Sequence, residues 1–223
     1  MRVAVIGGNG KTGRAVQDAL TRRGAVPVSV GRAEWPTLAD AMADCQATYL
    51  IAPNMHPDEP RYVADALLAM RKAGVPRVVY HSVASPYAPQ MPHHVGKAES
   101  EDLVRRSGLA WAILQPGAYL QNLDLTGDLE VPYDVDAVFG FADLAEVAEA
   151  AAVVLTEEGH VGATYELASR VATTAELAAE AGYHARRSKA PVEHPWLRAM
   201  FDYYDHYGLP VGTRPLSMLL GRG

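Results

Sequence analysis

The glycine-rich segment near the start of the chain has the residue types and spacing of a phosphate-binding turn. It reads V-I-G-G-N-G-K-T-G and places Gly7, Gly10 and Gly13 between an apolar run and an amphipathic run. Such a turn needs one glycine for the tight bend, one for close approach to a pyrophosphate and one for helix packing. Free N–H groups at the start of the following helix would bind the anion. The alternative is a purely structural glycine turn.

Three polar residues inside this segment could add side-chain contacts to a phosphate. Asn9, Lys11 and Thr12 lie among the glycines, where their side chains can reach the same anion. For Lys11, a solvent-facing lysine is an equally good interpretation.

The end of the second apolar run bears on which dinucleotide would bind. An acidic residue at this position binds the ribose 2′-hydroxyl of NAD, whereas an arginine accommodates the 2′-phosphate of NADP. The chain has Gly31-Arg32 there, with Glu34 two residues further on. Arg32 therefore favours NADP(H), with NAD(H) as the alternative and a plain surface arginine as a third interpretation.

The ends of two later apolar runs carry polar groups that could surround the rest of such a cofactor. Ala52-Pro53-Asn54 would lie beside it at the point where the strand order reverses, or would form a plain turn. His81-Ser82-Val83 closes the next run, and Lys97 follows on a predicted helix. The Ser82 hydroxyl and Lys97 could flank a nicotinamide, with Val83 beside them. A lysine can hold the ribose and lower the pKa of a neighbouring acid.

The two adjacent histidines are candidates for proton transfer. His93 precedes Lys97 by one helical turn, so both side chains can face one site. With an ordinary pKa of about 6.5, His93 could pass a proton to a carbonyl oxygen. Each histidine alone could instead be a helix-end residue. Because no further ligand is suitably spaced, we expect no metal here.

Alternating apolar runs and helical patterns predict the elements that position these residues. Strands are predicted at residues 2–6, 26–30, 46–52, 77–82 and 110–114, and helices at 12–23, 36–43, 58–73 and 95–106. This alternation predicts an α/β fold with a Rossmann-like, doubly wound parallel sheet. Only three residues separate Arg32 from the second helix, so we expect the sheet to lack one edge strand.

The pattern changes after Pro116, which suggests a boundary. We assign residues 1–117 to a dinucleotide-binding core, and 118–223 to a mixed segment that completes this core and forms a small C-terminal α+β lobe for substrate. Residues 118–141 are expected to be irregular. Helices are predicted at 143–155 and 174–181, a strand at 163–167, and a helical aromatic tail at 196–220. Packing or a dimer face is a better interpretation of this tail than a substrate cage.

Composition excludes several classes of protein. The 223 residues carry a net charge of −6 without a Lys/Arg block, so we expect no nucleic acid partner. The single cysteine, Cys45, cannot form an internal disulfide and favours a reducing compartment. No apolar run is long enough for a membrane span and no signal peptide is visible, so we expect a cytoplasmic protein without membrane contact. It could be a monomer or a homodimer.

Several motifs, in this order, resemble one known family. They are G-G-N-G-K-T-G, A-G-V-P-R-V-V-Y-H-S (73–82), H-H-V-G-K-A-E-S-E (93–101), S-G-L-A-W-A-I-L-Q-P-G-A-Y-L-Q-N (107–122) and F-A-D-L-A-E-V-A-E-A (141–150). The chain is similar to the NmrA-like proteins, atypical members of the short-chain dehydrogenase/reductase superfamily. The resemblance implies a Rossmann domain that binds NADP(H) or NAD(H). It also implies either reduction of small molecules or redox sensing without turnover.

The resemblance also assigns roles to residues. Gly7, Gly10 and Gly13 would contact pyrophosphate, Arg32 the adenosine phosphate and Lys97 the nicotinamide ribose. The carboxamide would be bordered by Pro116, Gly117, Ala118 and Tyr119, and the substrate would face Asn122. His94 is a further candidate for substrate contact. One departure is chemical: the tyrosine of the usual Y-x-x-x-K pair is replaced by His93.

These observations predict an NAD(P)H-dependent oxidoreductase that reduces a small carbonyl, quinone or enone. His93 or an ordered water would supply the proton, with Lys97 holding the cofactor and Ser82 as a hydrogen-bond donor. One alternative is a non-catalytic NADP(H) sensor that acts on a protein partner. The other is a biosynthetic isomerase or cyclase on the same scaffold.

Overall fold

The computed structural model describes residues 1–222. Residue 223, which ends the predicted segment 118–223, lies outside the described residues. The strands are β1 (Arg2–Ile6), β2 (Val26–Val30), β3 (Ala47–Leu50), β4 (Arg77–His81), β5 (Ala110–Pro116), β6 (Ala118–Tyr119), β7 (Leu129–Val131), β8 (Val138–Ala142), β9 (Ala163–Leu167), β10 (Arg170–Thr173) and β11 (Ala185–Arg187). The helices are α1 (Lys11–Arg22), α2 (Leu38–Ala41), α3 (Glu59–Ala73), α4 (Pro92–Arg105), α5 (Leu144–Thr156), α6 (Thr174–Glu180), α7 (Pro195–Tyr207) and α8 (Arg214–Leu219).

Six parallel strands form the central sheet, in the order β2-β1-β3-β4-β5-β9. The predicted doubly wound α/β fold is therefore confirmed. In residues 1–222, β2 is an edge strand, and the chain passes from it into a short turn and α2 without forming another strand of this sheet. The strand order reverses at β1, which pairs with β2 on one side and β3 on the other.

Both faces of the sheet are covered, which explains why its strands are almost continuously apolar. Along β4, Val79 joins an apolar cluster with α1 and α5, whereas Val78 and Tyr80 join the cluster under α3 and α4. Removal of each such side chain from water stabilises the fold by about 1.5–3 kcal/mol. Local signals end the helices as predicted: Gly74, with φ of 73°, stops α3.

Two predictions for the second half of the chain are wrong. Residues 118–141 are not irregular, because β6 and β8 pair with β10 in a second sheet and β7 pairs with β11. The tail is two helices, because α7 ends at Gly208 with φ of 61° and α8 starts only at Arg214. The strand predicted at 163–167 and the helix predicted at 143–155 both form within the segment that was expected to complete the core. They correspond to β9 and α5, which complete the central sheet and cover one of its faces.

Helix α4 begins earlier than the predicted Val95, at Pro92, whose fixed φ suits the first helical turn. The lobe has its own apolar cluster, which includes Phe139, Phe141 and Tyr204. Met91, just before α4, belongs to the same cluster, so the lobe packs directly on the core. Among the described residues, no helix is long and apolar enough to cross a bilayer.

Candidate functional site

The predicted site residues follow strands whose carboxyl ends lie along one edge of the central sheet. Backbone hydrogen bonds join these ends: Gly7 donates to Val30 O at 2.9 Å, and Ser82 donates to Leu114 O at 2.8 Å. In folds of this kind, ligands bind outside this edge where the strand order reverses. The turn after β1 occupies that position.

The glycine turn positions the start of α1 for an anion. Gly7 has φ of +82°, and its carbonyl oxygen accepts the Gly10 N–H at 3.0 Å. A Cβ on Gly13 would collide with that same carbonyl oxygen, so only glycine allows the helix to approach the turn. Gly10, the residue that caps α1, makes no side-chain capping bond. The first N–H groups of α1 therefore fit a pyrophosphate.

The polar residues of the turn have different surroundings. The Asn9 side chain accepts a hydrogen bond from Ser29 Oγ at 3.1 Å, which ties the turn to β2. Lys11 is exposed, and its Nζ donates to the Gln121 carbonyl at 3.3 Å. Thr12 is half-buried, and its side chain partly offsets the effect of burial, which raises the pKa of Tyr119. Residues 119–121 therefore lie over the start of α1.

Opposite charges lie close together at the end of β2. The Glu34 carboxylate accepts the Gly31 N–H at 2.7 Å and is half-buried, whereas Arg32 is exposed. A Cβ on Gly31 would also crowd Asn9. The site that would receive the adenosine ribose thus has a hydrogen-bonded carboxylate and an exposed guanidinium.

The segment after β3 also reaches the turn. A Cβ on Gly7 would come within 2.9 Å of the Ile51 carbonyl oxygen, so this backbone passes directly beside the turn. Ala52 is buried, whereas Pro53 and Asn54 are exposed at the same edge. The structure thus places the start of this segment beside the turn.

Lys97 is held in a buried ion pair that sequence reasoning missed. Its Nζ lies 2.7 Å from Glu59 Oε1 and donates to the His81 carbonyl at 3.1 Å. The Tyr80 hydroxyl donates to the same Glu59 oxygen at 2.6 Å, while the buried Oε2 has no partner among the described residues. The one sequence signal for Glu59 is its place in the first turn of α3, directly after the segment at this sheet edge.

The Ser82 hydroxyl donates a hydrogen bond to a buried carboxylate. Its Oγ donates to Glu101 Oε1 at 2.5 Å, and the same oxygen accepts Gln115 Nε2 at 2.6 Å. Arg105 pairs with the other oxygen at 3.0 Å. In this arrangement Ser82 offers a ligand only its lone pairs. Val83 follows it and is half-buried.

His93 and His94 are both buried and neutral near pH 7. Burial, with a smaller effect of the Lys97 charge, lowers the pKa of His93 to about 4. Burial likewise lowers the pKa of His94 to about 4, and its Nδ1 lies 3.2 Å from the Ser85 carbonyl. His94 is completely buried, so a substrate could reach it only if the segment around Ser85 moved.

The predicted carboxamide wall follows β5 into the lobe. Pro116 and Gly117 are buried, and a Cβ on Gly117 would collide with the Gly140 carbonyl oxygen. Ala118 and Tyr119 are half-buried in β6. Asn122 is exposed on the short turn that follows, so it is free to contact a ligand.

The side chain of His81 is a second feature that sequence reasoning missed. Its Nδ1 lies 2.6 Å from the Tyr49 hydroxyl and its Nε2 lies 3.4 Å from the Tyr119 hydroxyl. Burial lowers the pKa of His81 to about 3, and the Lys97 charge adds to this effect. Strand alternation places Tyr49 and His81 on the same face of the sheet, but only the strand order shows that they touch.

A cavity of about 440 Å³ opens between the segment after β4, the β5–β9 edge and α7. Gln115, Glu166, Tyr87, Tyr203 and Tyr207 are among its lining residues. None of the predicted cofactor residues lines it, but Gln115 directly precedes Pro116 and shares the Glu101 carboxylate with Ser82. The cavity therefore adjoins the predicted nicotinamide end of the site. Among the described residues, no three His, Cys, Asp or Glu side chains form a group that could hold a metal.

The parallel sheet, the glycine turn at the strand-order reversal and the uncapped α1 together define a Rossmann-type dinucleotide-binding protein. The chain belongs to the NAD(P)H-binding family, whose model matches residues 28–158. Similarity to individual proteins agrees. An NAD(P)H azoreductase of Xenophilus azovorans is 29% identical over 170 residues, 72% of this chain and 58% of that protein. Quinone oxidoreductase 2 of Escherichia coli is 32% identical over 123 residues, 50% of this chain and 42% of that protein.

The chain thus spans only about half the length of these two curated relatives. Solved structures match it over almost its whole length. The triphenylmethane reductase of Citrobacter sp., complexed with NADP(H), has a TM-score of 0.82 at 20% identity and covers 99% of this chain and 95% of its own. NmrA, a negative transcriptional regulator in complex with NAD, has a TM-score of 0.80 at 15% identity, with coverages of 99% and 91%. The resemblance to NmrA-like proteins is therefore confirmed in the fold.

Proposed function

We propose that this chain is an NAD(P)H-dependent reductase of a small carbonyl, quinone or enone compound. One observation carries the proposal: the uncapped start of α1 and the buried Lys97 lie along the same sheet edge. That arrangement suits a ligand with a diphosphate at one end and a hydroxylated ring at the other. The family membership and the reductase names of the two relatives support it.

Each part of the edge has a proposed role. The glycine turn binds the pyrophosphate, Lys97 holds the nicotinamide ribose, and residues 116–119 border the carboxamide. When bound, the dinucleotide supplies the hydride, and the protein positions the substrate against it. His93 was the expected proton source, but its low pKa means that only a neutral ring is present near pH 7.

The cavity beside Gln115 supports a flat, conjugated substrate. Three tyrosines line it, and aromatic side chains pack well against planar rings. Exposed Asn122 is proposed to contact the substrate from the lobe side, and His94 to do so only if the segment around Ser85 moves. The names of the relatives, which mention azo compounds and quinones, point to the same chemical class.

The test is oxidation of NADPH in the presence of a panel of quinones, enals and azo dyes. We expect turnover above background with at least one compound. No oxidation with any compound, despite tight NADPH binding, would contradict a reductase and favour a sensor.

We also propose that NADP(H) is preferred, through the exposed guanidinium of Arg32, although Glu34 leaves room for NAD(H). Titration of Arg32→Ala with both cofactors tests this. Its affinity for NADPH should fall at least about tenfold, the effect of losing one charged hydrogen bond, with NADH affinity unchanged. Glu34→Gln serves as the matched variant and should improve NADPH binding. An unchanged ratio in Arg32→Ala would refute the assignment.

A cofactor sensor is the second candidate. The position of the usual catalytic tyrosine holds a buried, neutral histidine, and Lys97 is already paired with Glu59. One structural neighbour is described as a negative transcriptional regulator in complex with NAD. A sensor would distinguish NADP⁺ from NADPH in affinity and would gain nothing from small substrates.

A further inference from the structure

The ring of His81 connects two tyrosine hydroxyls that come from different strands. Tyr49, on β3, contacts Nδ1 at 2.6 Å, and Tyr119, on β6, contacts Nε2 at 3.4 Å. Tyr49 is completely buried in the sheet, whereas Tyr119 is half-buried beside Thr12 of the glycine turn. The three rings therefore lead from the sheet interior to the start of α1.

The direction of the first hydrogen bond follows from burial. Among the described residues, His81 Nδ1 is the hydrogen-bond partner of the Tyr49 hydroxyl. If Nδ1 carried the proton, the O–H of Tyr49 would be a buried donor without an acceptor, which is costly. Tyr49 therefore donates and Nδ1 accepts.

The direction of the second bond follows from the charge of the ring. Burial keeps the pKa of His81 at about 3, so the imidazole is neutral and has a single N–H. Because Nδ1 accepts, this proton is on Nε2, which then donates to the Tyr119 oxygen. At 3.4 Å this is the longer and weaker of the two hydrogen bonds of the ring.

The proton of Tyr119 is consequently turned away from the Nε2–H of His81. Burial raises the pKa of Tyr119, and the Thr12 hydroxyl only partly offsets this, so the phenol keeps its proton under ordinary conditions. Tyr119 thus has what His93 lacks: a proton to give, and an N–H behind it to stabilise the negative oxygen.

We propose that Tyr119 is the catalytic proton donor, and that His81 and Tyr49 are positioning residues for its hydroxyl. This inference rests on the proposed reductase function. The carbonyl carbon of the substrate gains a hydride, with two electrons, from the reduced dinucleotide as the C=O π bond breaks. The carbonyl oxygen takes the proton of Tyr119, whose phenolate is stabilised by His81 Nε2–H and regains a proton from solvent water.

Kinetics and binding test the role of Tyr119. In Tyr119→Phe we expect kcat to fall about 100-fold, the usual contribution of a general acid. The dissociation constant of NADPH should stay within about twofold, because the ring still packs in place. Tyr49→Phe should reduce kcat less than Tyr119→Phe does, with KM unchanged.

The tautomer of His81 gives a readout that needs neither cofactor nor turnover. Nitrogen-15 NMR of the ring in the wild-type chain should show Nε2 protonated and Nδ1 accepting. Tyr49→Phe should weaken this signature. Tyr165→Phe is the matched control, because it removes a similar contact, at 2.8 Å to His160, from an edge strand and should change neither the His81 signal nor kcat.

Three results would overturn the proposal. They are a proton on Nδ1 in the wild type, an undiminished kcat in Tyr119→Phe, or weaker NADPH binding as the sole defect of that variant. If the wild-type chain reduces no compound at all, the proposed function fails and the proton transfer fails with it. Wild-type turnover that survives in Tyr119→Phe overturns the proton transfer alone.

Discussion

Backbone contact at Gly13 gives the sharpest prediction for a single residue. Because a Cβ at this position would collide with the Gly7 carbonyl oxygen, Gly13→Ala forces α1 away from the turn. We expect a loss of roughly 1–3 kcal/mol in the free energy of unfolding, as for other overpacked sites. NADPH binding should become undetectable in a calorimetric titration.

The control for this variant is Gly127→Ala, because a Cβ on Gly127 meets no atom within 4 Å. It should leave both stability and binding nearly unchanged. If Gly13→Ala bound NADPH normally, the close approach of helix and turn would not be what forms the anion site.

The buried pair of Glu59 and Lys97 carries the second prediction at this scale. Glu59→Gln leaves a buried ammonium without its counter-charge, which typically costs about 3–5 kcal/mol. The double variant with Lys97→Met should lose less than the sum of the two single variants, because each single change leaves one charge stranded. Urea unfolding of the four proteins measures this coupling.

The exposed pair of Arg61 and Asp65, joined at 3.0 Å within α3, is the matched control. Asp65→Asn should have no measurable effect, since water and salt screen exposed pairs. Additive losses in the Glu59 and Lys97 variants would contradict the coupling inferred here.

At the scale of elements, the first turn of α4 should make the protein sensitive to mild acid. The folded-state pKa values of His93 and His94 are about 4, below the ordinary value of about 6.5 that applies to the unfolded chain. Between these values the unfolded chain binds more protons than the folded one, so stability rises with pH. The stability that the two neutral histidines contribute to the fold is complete above pH 6.5 and is lost as pH falls toward 4.

As pH falls across this window, each buried histidine should lower the free energy of unfolding by about 1.4 kcal/mol per pH unit. His94→Gln should therefore reduce the slope of unfolding free energy between pH 6.5 and 5 by roughly that amount. His184→Gln, at an exposed position, should leave the slope unchanged. Equal slopes in wild type and His94→Gln would mean that His94 is not held neutral in the fold.

Elements whose limits are set locally could be predicted from sequence. The glycines that end α1 and α3 act within one turn, and the apolar runs of β1 to β5 are long enough to recognise. Strand β6 has two residues and β7 has three, too few for any periodicity. Their existence depends on pairing with β8 and β11, which no local pattern encodes.

The same distinction between local and long-range contacts applies to the residues of the candidate site. The glycine turn could be predicted because its residues are contiguous and its geometry is local. The partners of Lys97 and His81 could not, because Glu59 and Tyr49 come from other elements and meet them only when the sheet order is known. Sequence reasoning therefore described the glycine turn more completely than the hydrogen-bond network around Lys97 and His81.

For the molecule as a whole, the structure bears on whether residues 1–117 can fold alone. That segment contains five strands of the central sheet. The sixth strand, β9, comes from the second half and pairs with residues 112–116 of β5. Helix α5, also from the second half, packs on α1 and supplies Val147, Ala151 and Leu155 to the cluster on one face of the sheet. Without them, one face and one edge of the sheet meet water.

We therefore expect a fragment of residues 1–117 to show no cooperative thermal transition and to bind hydrophobic dyes, because its exposed apolar face cannot offset the chain entropy. The full chain should unfold in one transition, since the lobe cluster includes Met91 and Ala84 from the first half. Adding a fragment of residues 118–223 should restore cooperative unfolding. If the first fragment melted cooperatively alone, the glycine turn would belong to an independent domain, and α5 would be only a cover on a sheet already stable without it.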